Sequence, residues 1–198
     1  MSEARSEKGL GLCRAERSQL LVVDIQERLC AAMPTDCLAQ LGSNIERLSR
    51  AAQALQVPIY ASEQYPKGLG PTLGQIRALL PAQQSYFSKT SFSCCAQAGF
   101  GEWLAPPRQR PQVVLVGMEA HICILQTAIG LLDWGYQVFL VADALCSRNP
   151  HHKSNALARL TQAGAIVSNT ESVVFEWLAD ASNAQFRSLS RMFRGGPD

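Results

Sequence analysis

The chain predicts an α/β fold built on a parallel sheet of about six strands, with helices on both faces. Short runs rich in Val, Ile and Leu, such as residues 20–23 and 113–116, alternate with segments whose apolar residues recur at helical spacing. Those runs are apolar at every position, so both faces of each strand have to be covered. No linker or internal repeat divides the 198 residues, a length that suits one domain with a sizeable core.

The first strand covers residues 20–23 and ends at Asp24. Ile45, Leu48, Ala51, Ala52 and Leu55 then give helix spacing over about 44–56. Residues 57–60 form a short strand, and Pro71, suited to a first turn, opens a helix to Leu80. Residues 86–88 are a weaker third strand. A helix over 95–104 stops ahead of Pro106 and Pro107. The fourth strand, 113–116, leads into a helix over 121–134 that Gly135 terminates. The fifth strand covers 138–141. Asn149-Pro150 starts a helix to Gly164, residues 165–167 form the last strand, and one or two helices fill the chain to Met192.

The composition, 47% hydrophobic and 17% charged, is ordinary for a compact protein. Eighteen basic against sixteen acidic residues leave a charge of +2, too small to imply nucleic acid or an anionic membrane as a partner. No apolar run approaches the ~20 residues that span a bilayer. Residues 1–17 are polar and lack the apolar middle of a signal peptide, so they are expected to form a flexible N-terminal arm before a single domain over 18–198. Seven cysteines without a CxxC pair argue against a disulfide framework and for a reducing, cytoplasmic setting.

In open parallel sheets, ligands bind beyond the carboxyl ends of the strands. Asp24, Glu63, Gln64, Lys89, the turn 117–123 and Asp143 follow successive strands and should share one crevice. Cys123 falls in the first turn of its helix, where the positive end of the dipole favours thiolate. Alone, a buried inert thiol accounts for Cys123 equally well. Asp24 alone reads as a structural acceptor, and Lys89 alone as a surface lysine. Together at neighbouring strand ends they read as a base and a cation serving a nucleophile. His121 is two residues from Cys123, a spacing that points to another side of a helix, so it is read as a pocket wall. Glu63, Gln64, Tyr65, Phe92, His121 and Trp134 are the candidates to contact substrate. The glycines over 68–74 do not meet GxGxxG, and His151-His152 lack further ligands at metal spacing.

These pieces resemble the isochorismatase-like cysteine hydrolases over residues 18–180. Asp24 ends the first strand, Lys89 follows the third, and Cys123 lies in Gly117-Met118-Glu119-Ala120-His121-Ile122-Cys123-Ile124-Leu125. The phrases Glu63-Gln64-Tyr65-Pro66-Lys67-Gly68-Leu69-Gly70-Pro71-Thr72 and Val141-Ala142-Asp143-Ala144 are most similar to the isochorismatase-domain-containing branch. The resemblance implies a Rossmann-like, three-layer α/β/α sandwich and an Asp-Lys-Cys triad. In it Cys123 is the nucleophile, Asp24 the general base and acid, and Lys89 the orienting cation. It also implies a cis Met118–Glu119 bond, an oxyanion hole made by the backbone N–H groups of Glu119 and Cys123, a small-molecule substrate and a homo-oligomer. The nicotinamidase branch holds a metal through histidines after the second strand. This chain has Glu63, Gln64 and Tyr65 there and no histidine before His121, so no metal and no cofactor are expected. The cysteine favours hydrolysis of an amide or related C–N bond through a Cys123 thioester over the vinyl-ether cleavage that names the family. The alternatives are a non-catalytic small-molecule-binding or scaffold protein on the same fold, and a thiol redox role for Cys94-Cys95.

Overall fold

In the computed structural model, which describes residues 11–82 and 86–194, six strands form one sheet. They are β1 (Ser18–Val23), β2 (Ile59–Gln64), β3 (Tyr86–Lys89), β4 (Gln112–Met118), β5 (Gln137–Cys146) and β6 (Ile166–Ser168). The helices are α1 (Glu27–Cys30), α2 (Thr35–Ala54), α3 (Pro66–Leu69), α4 (Gly74–Arg77), α5 (Phe100–Trp103), α6 (Leu125–Asp133), α7 (Pro150–Gln162), α8 (Thr170–Leu178) and α9 (Phe186–Arg191). The strand order is β3-β2-β1-β4-β5-β6, and every neighbouring pair is parallel.

Every residue of β1 and β4 is buried, as an all-apolar run requires when both faces are covered. Successive side chains go to opposite faces. Leu20, Val22, Val114, Val116, Phe139 and Val141 join one core with Ile45 and Leu48 of α2 and Val173 and Trp177 of α8. Leu21, Val23, Val113, Leu115, Val138 and Leu140 join the other with Phe100 of α5, Ala128 and Leu131 of α6, and Leu160 of α7. The result is the expected three-layer α/β/α sandwich. Each fully buried Leu or Val in it contributes roughly 1.5–3 kcal/mol.

The strand order reverses direction between β1 and β4, and in such sheets ligands bind at the carboxyl ends beside that switch. Register sets the level of those ends: Val23 pairs with Ser62 and with Gly117, and Gln64 pairs with Lys89. Gly117 has φ 120, and a Cβ there would run into the Val23 carbonyl and sit 2.8 Å from the Val23 nitrogen. Only glycine lets β1 and β4 come this close at the site's edge.

Several elements differ from expectation. Helix α2 starts at Thr35 rather than near 44, because Leu41 and the partly buried Leu38 extend its apolar face. The helix expected over 71–80 shrinks to α4; Thr72 is held instead in a bridge to Gln26. The one over 95–104 becomes a 3-10 turn (Cys94–Ala96) and the single turn α5, separated by Gly99 at φ 85. The one over 121–134 becomes a π turn (Ala120–Ile124) followed by α6, with Gly135 at φ 86 just after it. Strand β5 runs on to Cys146, so Asp143 lies within it and not in the crevice. The Asp143 carboxylate accepts from the N–H and hydroxyl of Thr170, both at 2.9 Å, at the start of α8.

Residues 1–10 of the expected arm lie outside the described residues. Within 11–17, Cys13 is buried and donates its N–H to Glu176 at 2.6 Å, and Arg14 donates to Gln112 at 2.8 Å. The packed chain therefore begins before Ser18. Cys37 and Cys146 form a disulfide between α2 and the end of β5, where the sequence led us to expect ordinary thiols. Cys13, Cys30, Cys94, Cys95 and Cys123 are free. Among the described residues, no helix is long and apolar enough to cross a membrane.

Candidate active site

Asp24 is the first residue after β1 and takes φ 54, a conformation Asp tolerates better than most side chains. Its backbone is held on both sides: its N–H donates to the Ser62 carbonyl at 3.1 Å, and its carbonyl accepts from Gln26 at 3.0 Å. The side chain is fully buried. One carboxylate oxygen accepts from the Ser62 hydroxyl at 2.7 Å and the other from Lys89 Nζ at 2.7 Å. Lys89, the last residue of β3, is buried equally completely at its side chain. Its ammonium also donates to Gln64 Oε1 at 2.7 Å, the Phe92 carbonyl at 3.1 Å and the Ser91 carbonyl at 3.4 Å. A buried ion pair persists only when its remaining hydrogen-bonding capacity is met, and here it is. Burial pulls the Lys89 pKa down, but Asp24 and the Cys94 and Cys123 sulfurs push it up, and the net value lies above the ordinary one.

Cys123 sits 5% exposed in the π turn, near enough to Asp24 and Lys89 for both charges to act on its sulfur. Burial, and then the Asp24 carboxylate, raise its pKa well above 9.0 against the opposing pull of Lys89. Burial and the carboxylate thus work against the dipole-stabilised thiolate expected from its place near a helix start. A second free thiol, Cys94, is fully buried beside the same charges and is pushed up to about 11, chiefly by burial.

The Met118–Glu119 bond is cis. Glu119 is buried, and Arg148 closes on its carboxylate. The Arg148 backbone N–H donates to Oε2 at 3.0 Å, Nε reaches both oxygens at 3.1 and 3.0 Å, and Nη2 bonds Oε1. Burial pushes the Glu119 carboxyl up, but the Arg148 bonds and charge hold it below its ordinary value of 4.5. A depressed carboxyl pKa adds stability that is present above the ordinary value and lost as pH falls through the lowered one. The stability gap between the native protein and Glu119→Gln should thus be constant near neutrality and close as pH drops below 4.5. Urea unfolding across a pH series measures that gap; one that widened in acid would contradict it.

The expected substrate contacts divide. Gln64 is buried and engaged on both ends, with Oε1 on Lys89 and Nε2 donating to the Thr90 carbonyl at 2.7 Å, so it positions the lysine. Glu63 turns away to the loop before α4, accepting from the Thr72 N–H and hydroxyl at 2.8 Å with Arg77 at 3.6 Å. Tyr65, Phe92 and Trp134 are exposed. His121 is half-buried, with Nδ1 3.1 Å from the Ser147 hydroxyl and its ring 4.6 Å from that of His152. Burial lowers the His121 pKa, and His152 and Arg148 add to this against Glu119. Sequence reasoning missed Ser62 and Arg148. Ser62 shares the β2 face of Gln64 two residues on, a signal that alternation carries. Arg148 gave no signal. Among the described residues, no group of three or more His, Cys, Asp or Glu side chains could hold a metal ion.

The comparisons agree with this architecture. A family model described as the isochorismatase domain matches residues 18–172. Isochorismatase domain-containing protein 2 of Bos taurus is 38% identical over 191 residues, spanning 96% of this chain and 90% of that protein. The structure of MAR1 ribonuclease from Caenorhabditis elegans superposes with a TM-score of 0.85 at 30% identity, covering 94% of this chain and 95% of that one. The YcaC gene product of Escherichia coli, an octameric hydrolase of unknown specificity, shares the fold at a TM-score of 0.82 and 21% identity, over 92% and 89% of the two chains. The matched domain supports a hydrolase-type function, and on sequence and fold together this chain belongs to the isochorismatase family.

Proposed function

We propose that this protein is a cysteine-dependent hydrolase of a small-molecule amide or related C–N bond. The observation that carries the reading is the fully buried Asp24–Lys89 pair at 2.7 Å, whose charges act on the buried Cys123 sulfur. Asp24 takes the Cys123 proton as the sulfur attacks the carbonyl carbon. The S–C bond forms and the C=O π pair moves to oxygen, where the N–H groups of Glu119 and Cys123 receive it. Collapse breaks the C–N bond, and Asp24 passes its proton to the departing amine. A water then gives Asp24 a proton and attacks the thioester. The C–S bond breaks, the acid leaves, and the sulfur regains its proton from Asp24. Lys89 holds Asp24 in place and balances the sulfur's transient charge. Tyr65, Phe92 and His121 are the side chains proposed to contact substrate directly, while Gln64 and Glu63 hold the walls.

The proposed partner is a small molecule, with no metal or cofactor, and the assembly a homo-oligomer that covers exposed apolar residues such as Trp134. Ribonuclease activity, named for the C. elegans neighbour, is not carried over. Nucleic-acid channels combine a basic groove with stacking platforms, and Cys123, Asp24 and Lys89 are all buried. A cytoplasmic location is proposed from the five free cysteines among the described residues, with the Cys37–Cys146 disulfide the one observation against it.

Intact-mass spectrometry over a panel of small amides and esters tests the reading. The native protein should trap an acyl adduct on Cys123, and Cys123→Ala should fold normally and trap none. Adducts that persist in Cys123→Ala remove this thiol from the mechanism. Reversible binding without any adduct favours the non-catalytic binding protein.

A further inference from the structure

We propose that Arg148 is a positioning residue for the oxyanion donor, acting through the carboxylate of Glu119. The inference rests on the hydrolase reading above and concerns the same site. Glu119 follows β4 and Arg148 follows β5, and these strand ends are in register, with Met118 opposite Cys146. One residue thus fastens the other across two adjacent strands. Arg148 supplies its main-chain N–H, Nε and Nη2 to both oxygens of a single buried carboxylate. This is the planar, two-pronged grip that a guanidinium provides and an ammonium does not.

The grip falls on the residue whose own N–H is the proposed oxyanion donor. The Glu119 carbonyl is fixed as well, accepting from Ile122 at 3.0 Å and Ile124 at 3.2 Å at the start of the π turn. With carbonyl and carboxylate both held, the direction of the residue 119 N–H is held too. A carboxylate released from Arg148 is a buried anion without its main donor. It would seek the backbone N–H groups of the turn, the same groups an oxyanion needs. The Arg148 side chain is itself 55% exposed and is not part of the core.

Two reactions of Cys123 separate positioning from structure. Acylation by p-nitrophenyl acetate forms the S–C bond, places charge on the carbonyl oxygen and expels p-nitrophenolate, which is read by its absorbance. Alkylation by iodoacetamide forms an S–C bond at a saturated carbon and expels iodide, with no oxyanion. In Arg148→Ala, acylation should slow by about 10- to 100-fold while alkylation keeps the native rate, and Arg148→Lys should recover part of the loss. Unchanged acylation overturns the proposal, as does a parallel loss of both reactions. If Arg148→Ala does not fold, the Glu119→Gln/Arg148→Ala double variant removes the unpaired charge and should show the same selective loss. A native protein that is alkylated at Cys123 but never acylated overturns the hydrolase reading itself, and this proposal with it.

Discussion

Lys89→Met is expected to cost about 3–5 kcal/mol of stability and to abolish acylation of Cys123. Methionine matches the lysine stem in length and fills the same apolar path. What is lost is the ammonium that meets Asp24 at 2.7 Å in a place where neither side chain touches solvent. The Asp24 carboxylate would remain buried with only the Ser62 hydroxyl as a close side-chain donor. The Asp24→Asn/Lys89→Met double variant should recover much of the stability, since no charge is left to desolvate, while staying inactive for want of a base. Urea midpoints at an unchanged slope measure both effects. A cost below about 1 kcal/mol for Lys89→Met, the range of a solvated surface pair, would refute the argument.

Gly117→Ala is expected to cost more than about 4 kcal/mol and to leave little folded protein, the largest effect on stability from one methyl group. Two penalties combine. The backbone at φ 120 is a region that side chains avoid, and the added carbon meets the Val23 main chain, which cannot yield as a flexible side-chain tip can. Val23 and Gly117 are register partners in the two central strands, so relief at one point would shift the whole β1–β4 pairing. Gly135→Ala separates the two penalties. It has φ 86 with nothing within 4 Å of the added carbon, and its cost should stay near 1–2 kcal/mol. Thermal unfolding of the two variants checks the contrast, and similar midpoints would show that crowding at Gly117 is relieved.

The central strands could be read from sequence because burial on both faces leaves an unbroken apolar run, and a run needs no partner to be recognised. The short helices could not. One turn, as in α4 or α5, holds too few residues to display a period, and what ends it is a contact made elsewhere, such as Thr72 bonding to Glu63. The position of Asp24 was legible because an unbroken apolar run ends at it, whereas the strand before Lys89 was only weakly marked. The state of Cys123 was not legible. A helix N-terminus is worth roughly 0.3–1 kcal/mol to an anion at the surface, and here burial beside the Asp24 carboxylate outweighs it. Arg148 was invisible for another reason. An arginine shortly after a strand is ordinary until a specific carboxylate on the neighbouring strand is known.

Strand β3 is four residues long, lies at the edge of the sheet and pairs with β2 alone. The rings of Phe100 and Trp103 rest on its Phe87 at 5.1 and 5.2 Å. Edge segments with few neighbours are where a native protein opens locally, at a fraction of its global unfolding free energy. Lys89 ends that strand, so each excursion of the edge withdraws the cation from Asp24. Separation of the ion pair and fraying of the edge are then two readings of one equilibrium. Whatever tightens the ion pair also slows amide exchange along 86–89, and the ion pair acts as the latch on the sheet's edge.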